Sequence, residues 1–226
     1  MKLSPAALKT RLLRKSEAGE AIQFRRITCA LATSPEDLAS ADLLLLDHTS
    51  ASPGFHPAAE LLPLDNANAK VLHNAELYRE LIERYPVVAG LCGTDPFRIP
   101  SKLLHQIKEL GFIGVQNWPS VGLIDGAFRA HLEHSHISYD QEVAMLNQAK
   151  ELGLLVVGTG FSEQDAQKMS AIDVDVMVVH PGPGALVSGH IDLAKTSSLL
   201  KNVVGVMSAS NTIVLPASVK HLCLSS

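Results

Sequence analysis

The sequence predicts an α/β protein, an incomplete (β/α) TIM barrel of about seven strand–helix units with the eighth unit missing. Short apolar runs of strand length alternate with segments of helical periodicity, which is typical of parallel strands joined by crossover helices. Apolar residues make up 46% of the 226 residues and charged residues only 19%, as expected for strands that are covered on both faces. The chain stops after its seventh run, whereas a complete barrel usually takes about 250 residues. An open doubly wound sheet is the alternative.

The chain opens with a predicted helix and continues with the apolar runs. Ser4-Pro5 is a typical helix start, and Leu8 and Leu12 lie on one face behind it. Each run is rich in leucine or β-branched residues and ends at turn residues. The predicted strands are Ile27–Leu31, Leu43–Leu46, Val87–Leu91, Phe112–Val115, Leu154–Val157, Val174–Val179 and Ile213–Leu215.

Helix-end signals support the crossover helices between these runs. Ser138, followed by Gln141 three residues later, fits a capping box. Gly111 and Gly153 each follow a helical stripe and precede a strand, as C-terminal caps do. We therefore expect one barrel domain over residues 1–226. A barrel that lacks a strand has two unpaired edges, so we expect a partner subunit in a homo-oligomer, or the opening segment, to cover the seam.

Composition limits the classes of partner. The net charge is −4 and no basic run extends beyond Arg25-Arg26, which argues against nucleic acid and anionic membranes. Cys29, Cys92 and Cys223 form neither a disulfide framework nor a Cys-x-x-Cys site, which favours a reducing compartment. Because no signal peptide or membrane span is evident, we expect a cytoplasmic protein that acts on a small-molecule substrate.

Candidate site residues follow the ends of the predicted strands, because the loops there converge on one mouth of a barrel. The third strand is followed by Cys92, Thr94, Asp95 and Arg98. Thr94 and Arg98 are predicted to bind substrate, and Asp95 to act in catalysis or hold a metal. The alternative is that Asp95 only forms a turn or caps the next helix, with Arg98 as an ion-pair partner.

The fourth and sixth strands add further candidates. Gln116 and Asn117 precede Trp118, and their amides are predicted to orient the substrate. The alternative is that the two amides only tie down loop backbone. His180 ends the sixth strand and is predicted to move a proton, because imidazole titrates near neutrality. A structural histidine is the alternative. No Gly-x-Gly-x-x-Gly or Gly-x-Ser-x-Gly pattern indicates a nucleotide site or a serine nucleophile.

Metal binding is predicted at Asp47, which ends the second strand and could bind Mg²⁺ through water, with Asp95 as the second carboxylate. The histidines His131, His134 and His136 lie in a helix end and a loop. A solvated cluster is the better interpretation of them than a metal site.

Two segments, Val88–Arg98 and Gly111–Gly126, together resemble the phosphoenolpyruvate hydrolase-like TIM-barrel family. Weaker similarity extends to residues 61–69, 139–143, 178–180 and 194–196. The resemblance implies a (β/α)₈ barrel akin to the phosphoenolpyruvate mutase and isocitrate lyase superfamily. Members of that superfamily cut or form C–C or C–P bonds in 2-oxo acids, usually with Mg²⁺.

The sequence also departs from the family pattern. Cys29–Ser34 replaces a glycine-rich loop, and Asp47–Ser50 replaces an Asn-Ser-Gly pattern. Residues 217–226 form a divergent tail in place of the family's last strand. The loops after the last strands of a barrel commonly bind phosphate. Phosphate binding is therefore the function that the divergent tail affects most. The two hypotheses are therefore an enzyme acting on a phosphorylated or 2-oxo acid, and a catalytically inactive barrel serving as a binding or oligomerisation module.

Overall fold

The computed structural model describes residues 3–18, 20, 22–28, 34–51, 66–179, 203–207 and 212–215. Within these ranges eight strands form one closed barrel in chain order. The strands are β1 (Ile22–Arg26), β2 (Leu43–Leu46), β3 (Val87–Leu91), β4 (Gly114–Asn117), β5 (Leu155–Gly160), β6 (Val176–Val179), β7 (Val203–Met207) and β8 (Thr212–Leu215). The helices are α1 (Pro5–Glu17), α2 (Pro35–Ser40), α3 (Ala67–Leu77), α4 (Arg79–Arg84), α5 (Pro100–Glu109), α6 (Gly126–His134), α7 (Tyr139–Glu151) and α8 (Glu163–Ala171), with a 3₁₀ turn at Val121–Leu123.

Neighbouring strands from β1 to β7 pair in parallel, and helices cover the outside of the sheet. This confirms the predicted α/β barrel architecture in outline. The count of seven strand–helix units stays a prediction, because residues 180–202 lie outside the described ranges. The predicted tail at 217–226 also lies outside them.

The closure of the barrel corrects the expectation of an open seam. β8 runs antiparallel to both of its neighbours, with Met207 opposite Thr212 on one side and Phe24 opposite Thr212 on the other. Ring closure leaves no strand edge unpaired. The reason for expecting a partner subunit over the seam therefore no longer applies, and a homo-oligomer stays a prediction without that support.

Two strands differ from the sequence prediction. The first described strand is Ile22–Arg26, in which Ile22 and Phe24 alternate with more polar residues and point into the barrel. Of the predicted strand Ile27–Leu31, only Ile27 and Thr28 lie among the described residues, and they follow β1. β7 (Val203–Met207) is not among the predicted strands, and the run at Ile213–Leu215, predicted as the seventh strand, belongs to the eighth. The alternation of β1 is a weaker sequence signal than a continuous apolar run, whereas Val203–Met207 has such a run.

The barrel interior is closed at its amino end by α1. Leu8 and Leu12 belong to the same buried cluster as Ile22 and Leu43, which begin β1 and β2. Arg11 and Lys15 pair with the buried Asp42 immediately before β2. The predicted opening helix is thus confirmed, and its apolar face supplies a floor to the barrel.

Helix ends follow the predicted signals. Ser138 and Gln141 form the capping box, each side chain bonding to the other's backbone N–H. Gly111 has φ 89° and Gly153 has φ 76°, the left-handed conformation that favours glycine after a helix. Within the described residues, no helix is long and apolar enough to cross a membrane.

Candidate functional site

A buried ion pair lies where β1 and β2 end. Arg26 and Asp47 continue the inward-facing positions of their strands, and Arg26 Nε lies 2.9 Å from Asp47 Oδ2. The two side chains are 12% and 0% exposed. Because parallel strands end at one rim, this places a guanidinium and a carboxylate at the mouth of the barrel.

Trp118 forms part of the same mouth. The Arg26 guanidinium carbon lies 5.6 Å from the centroid of the buried Trp118 ring, within the range of a cation–π contact. Gly90 on β3 provides the space for this arrangement. A Cβ there would lie 3.0 Å from Asp47 Cβ and 3.1 Å from the Trp118 carbonyl oxygen.

Gln116 faces the interior from β4, two residues before Trp118 and on the same face of the strand. Its Nε2 donates to Thr159 Oγ1 on β5 at 2.8 Å. Its Oε1 is buried and accepts no hydrogen bond from the described residues. We define Arg26, Asp47, Gln116, Trp118 and Thr159 as the rim cluster.

Asp47 is held on both of its oxygens. Oδ1 accepts from the Thr49 N–H at 2.8 Å and from Thr49 Oγ1 at 2.7 Å, while Oδ2 faces Arg26. Asn74 Nδ2 donates to the Asp47 carbonyl at 2.9 Å and fixes the backbone. These contacts orient the carboxylate toward Arg26.

Asp95 is bound to its own loop. Its Oδ1 accepts from the Phe97 N–H at 2.9 Å, and its Oδ2 accepts from Asn68 Nδ2 at 2.9 Å. Asn68 also bonds to the backbone N–H and carbonyl of Cys92, each at 3.0 Å. The geometry therefore matches the turn interpretation of Asp95, and the buried Asn68 is a structural residue that sequence reasoning missed.

The two predicted metal ligands do not fit a shared magnesium site in this arrangement. Asp47 is paired with Arg26, and Asp95 is bonded to Asn68 and to its own loop. Mg²⁺ requires free carboxylate oxygens in octahedral geometry. Among the described residues no group of three His, Cys, Asp or Glu side chains could hold a metal.

Thr94 and Arg98 lie outside the rim cluster. Thr94 Oγ1 is 3.5 Å from Cys92 Sγ, and burial raises the pKa of that thiol, which makes it a weaker nucleophile. Both Thr94 and Arg98 line a groove of about 490 Å³ between the β3–α5 loop and α7. Of the predicted substrate-binding residues, Gln116 therefore lies at the mouth, whereas Thr94 and Arg98 line this groove.

Asn117 points away from the mouth because side chains alternate along a strand. Its Oδ1 accepts from the Thr159 N–H at 2.7 Å, and its Nδ2 donates to Glu142 Oε2 on α7 at 2.8 Å. Asn117 therefore holds the backbone of β5 and the α7 helix in place. This matches the alternative in which its amide has a structural role.

Glu142 is a fully buried carboxyl group that sequence reasoning did not select. It also accepts from Ser120 Oγ at 2.6 Å and from the Val121 N–H at 2.8 Å. Burial raises the pKa of Glu142 to about 7, although these hydrogen bonds and Arg129 act in the opposite direction. The available signal was a charged residue in phase with the buried stripe of Leu146 and Ala149.

The histidine predictions have different outcomes. His180 lies outside the described residues, so its role stays a prediction. His134 Nδ1 is 2.6 Å from the Ala130 carbonyl oxygen, a local contact on the exposed side of α6.

The fold and the rim cluster define the class of protein: an α/β barrel with a buried cluster of charged and polar side chains at the carboxyl ends of its strands. Barrels of this class carry their chemistry at that rim. The chain belongs to the phosphoenolpyruvate hydrolase-like family, whose model matches residues 7–223. This confirms the resemblance found in the sequence.

Three known proteins illustrate the relationship. The ToMV resistance protein Tm-1(GCR237) of Solanum lycopersicum is 36% identical over 178 residues, covering 78% of this chain, and the chain spans only 23% of that relative's length. The uncharacterized protein y4oT of Sinorhizobium fredii is 31% identical over 140 residues, which cover 62% of this chain and 70% of y4oT. The crystal structure of 3-keto-L-gulonate-6-phosphate decarboxylase from Vibrio cholerae superposes with a TM-score of 0.51 at 14% identity, covering 83% of this chain and 78% of that one. At that identity, the superposition supports the fold alone.

Proposed function

We propose that this chain is a hydrolase- or lyase-type enzyme that acts on a small phosphorylated or 2-oxo acid, such as phosphoenolpyruvate or phosphonopyruvate, at the mouth of the barrel. The family and the barrel fold support an enzyme of this general type. The observation that carries the substrate class is Arg26, a nearly buried guanidinium at the carboxyl end of a barrel strand. Its planar fork matches carboxylate and phosphate oxygens.

The rim cluster can recognise more than charge. Gln116 Oε1 offers a buried hydrogen-bond acceptor to a hydroxyl or protonated acid of the substrate. Trp118 supplies an apolar wall beside Arg26. In this proposal Arg26 takes the anion-binding role first expected of Arg98, and His180 keeps its role in proton transfer.

The direct test is turnover by the purified protein. Hydrolysis of phosphoenolpyruvate consumes one water and releases phosphate and pyruvate, and pyruvate is measured with and without Mg²⁺. Arg26→Lys keeps the positive charge but removes the planar guanidinium that can donate two parallel hydrogen bonds to an anion. The value of kcat/KM should therefore fall by about tenfold or more. His134→Ala, which lies outside the site, should retain activity. Unchanged turnover in Arg26→Lys, with loss of activity in Asp95→Asn, would move the site to the β3–α5 loop.

A binding module is the second candidate. The observation that favours it is that Asp95 and Asn117, two of the predicted site residues, are held in structural contacts. A folded protein that binds phosphoenolpyruvate in calorimetry without releasing pyruvate would support this alternative. Light scattering on the same sample tests the predicted homo-oligomer.

A further inference from the structure

The groove beside α7 is a concave site that is separate from the rim cluster. It has a volume of about 490 Å³, within the range of small-molecule sites. One wall is the loop that carries Thr94 and Arg98, and the other is the α6–α7 connection together with α7. None of the rim-cluster residues lines it.

The groove has one guanidinium group, that of Arg98, for which the described part of the chain provides no counter-charge. Arg98 is partly buried, and no described residue forms an ion pair or hydrogen bond with its guanidinium. Asp95 also lines the groove, but its oxygens already accept from Asn68 and from the Phe97 N–H. An anion that enters the groove therefore finds a guanidinium available to it.

The opposite wall carries an apolar strip between polar side chains. Ile137, Ala144 and Met145 form the strip, and Ser135, His136, Gln141 and Gln148 lie beside it. The end of α6 forms a Schellman turn, in which the Ile137 N–H donates to the Leu132 carbonyl at 2.9 Å and the His136 N–H donates to the Glu133 carbonyl at 3.3 Å. His136, which also lines the groove, has φ 61°, the left-handed conformation of a Schellman turn.

We propose that this groove binds a small organic anion, a carboxylate or phosphate monoester with an apolar body. Arg98 holds the anionic group, and the apolar body lies against Ile137 and Ala144. Both walls are preorganised by their own hydrogen bonds, which reduces the entropic cost of binding. The site is independent of the function proposed for the barrel mouth.

The test uses phenyl phosphate and inorganic phosphate as probes of the ¹⁵N-labelled protein. Phenyl phosphate should shift the amide signals of Ile137 and Ala144 and bind about tenfold more tightly than inorganic phosphate, because only the former has an apolar body. Signal changes confined to the barrel interior, or equal affinity for the two probes, would overturn the proposal.

Substitutions distinguish binding in this groove from binding at the barrel mouth. Arg98→Gln should weaken phenyl phosphate binding at the Ile137 amide by about tenfold, since a charge-assisted, two-pronged contact is lost. Ala144→Trp should abolish it by filling the groove from an exposed helix position. Lys102→Gln removes the same charge from an exposed position on α5 and should leave binding unchanged, as should Arg26→Lys. Equal losses in Arg98→Gln and Lys102→Gln would show a nonspecific charge effect and refute the site.

Discussion

Replacing Glu142 by glutamine should change how stability depends on pH. Burial raises the pKa of Glu142 from its ordinary value of 4.5 to about 7 in the folded protein. Below pH 4.5 the carboxyl group is protonated in both the folded and the unfolded chain. Between pH 4.5 and 7 only the unfolded chain releases the proton, so the free energy of unfolding falls as the pH rises.

The size of the effect follows from the shift in pKa. Each pKa unit corresponds to about 1.4 kcal/mol, so the full penalty is on the order of 3 kcal/mol, and most of it develops between pH 5 and pH 8. Glutamine resembles the protonated acid and has no such dependence. Relative to the wild type, Glu142→Gln should therefore gain about 2–3 kcal/mol over this range.

Urea unfolding of both proteins at several pH values measures this difference directly. Other titrating groups are common to the two proteins and cancel in the comparison. Glu109→Gln is the matched control, because Glu109 is exposed on α5 and its replacement should leave the pH profile unchanged. Parallel profiles for wild type and Glu142→Gln from pH 5 to 8 would refute a buried, proton-binding carboxyl group.

Three further predictions concern the mouth and the capping box. Gly90→Ala should lower the free energy of unfolding by about 1–3 kcal/mol, because the new methyl group meets Asp47 and the Trp118 carbonyl; an unchanged melting temperature would contradict the close approach. Asp47→Leu should cost about 3–5 kcal/mol by leaving Arg26 without its counter-charge, and adding Arg26→Met should recover part of it; additive losses in urea unfolding would contradict the pairing. Ser138→Ala should cost about 1 kcal/mol in the same measurement, and no loss would mean that the capping box is not stabilising.

The alternation of apolar runs and helical stripes was sufficient to predict the barrel architecture, because buried parallel strands need continuous apolar sequence. The closing strand was harder to predict. The run at Ile213–Leu215 has the composition of a parallel strand, and composition does not encode direction. The available signal was the short connection from Met207 to Thr212, which is too short for a crossover helix.

The site was predicted only in part for a related reason. The end of a predicted strand shows which residues lie near the rim. Adjacent residues face opposite sides of the sheet, however, and the sequence does not state which of them faces the barrel interior. Gln116 faces the barrel and Asn117 faces α7. Arg26 was missed because it was considered only as part of a basic pair. The alternation of Ile22 and Phe24 places it on the inner face.

The reversed direction of β8 also determines where the polypeptide leaves the ring. β7 rises to the rim, whereas β8 descends, and Leu215 pairs with Val204 near the end that α1 closes. A fluorescent reporter or affinity tag fused directly to Leu215 would begin on the side opposite the mouth. Labelled protein attached in this way is therefore suited to immobilised binding measurements in which the rim stays accessible.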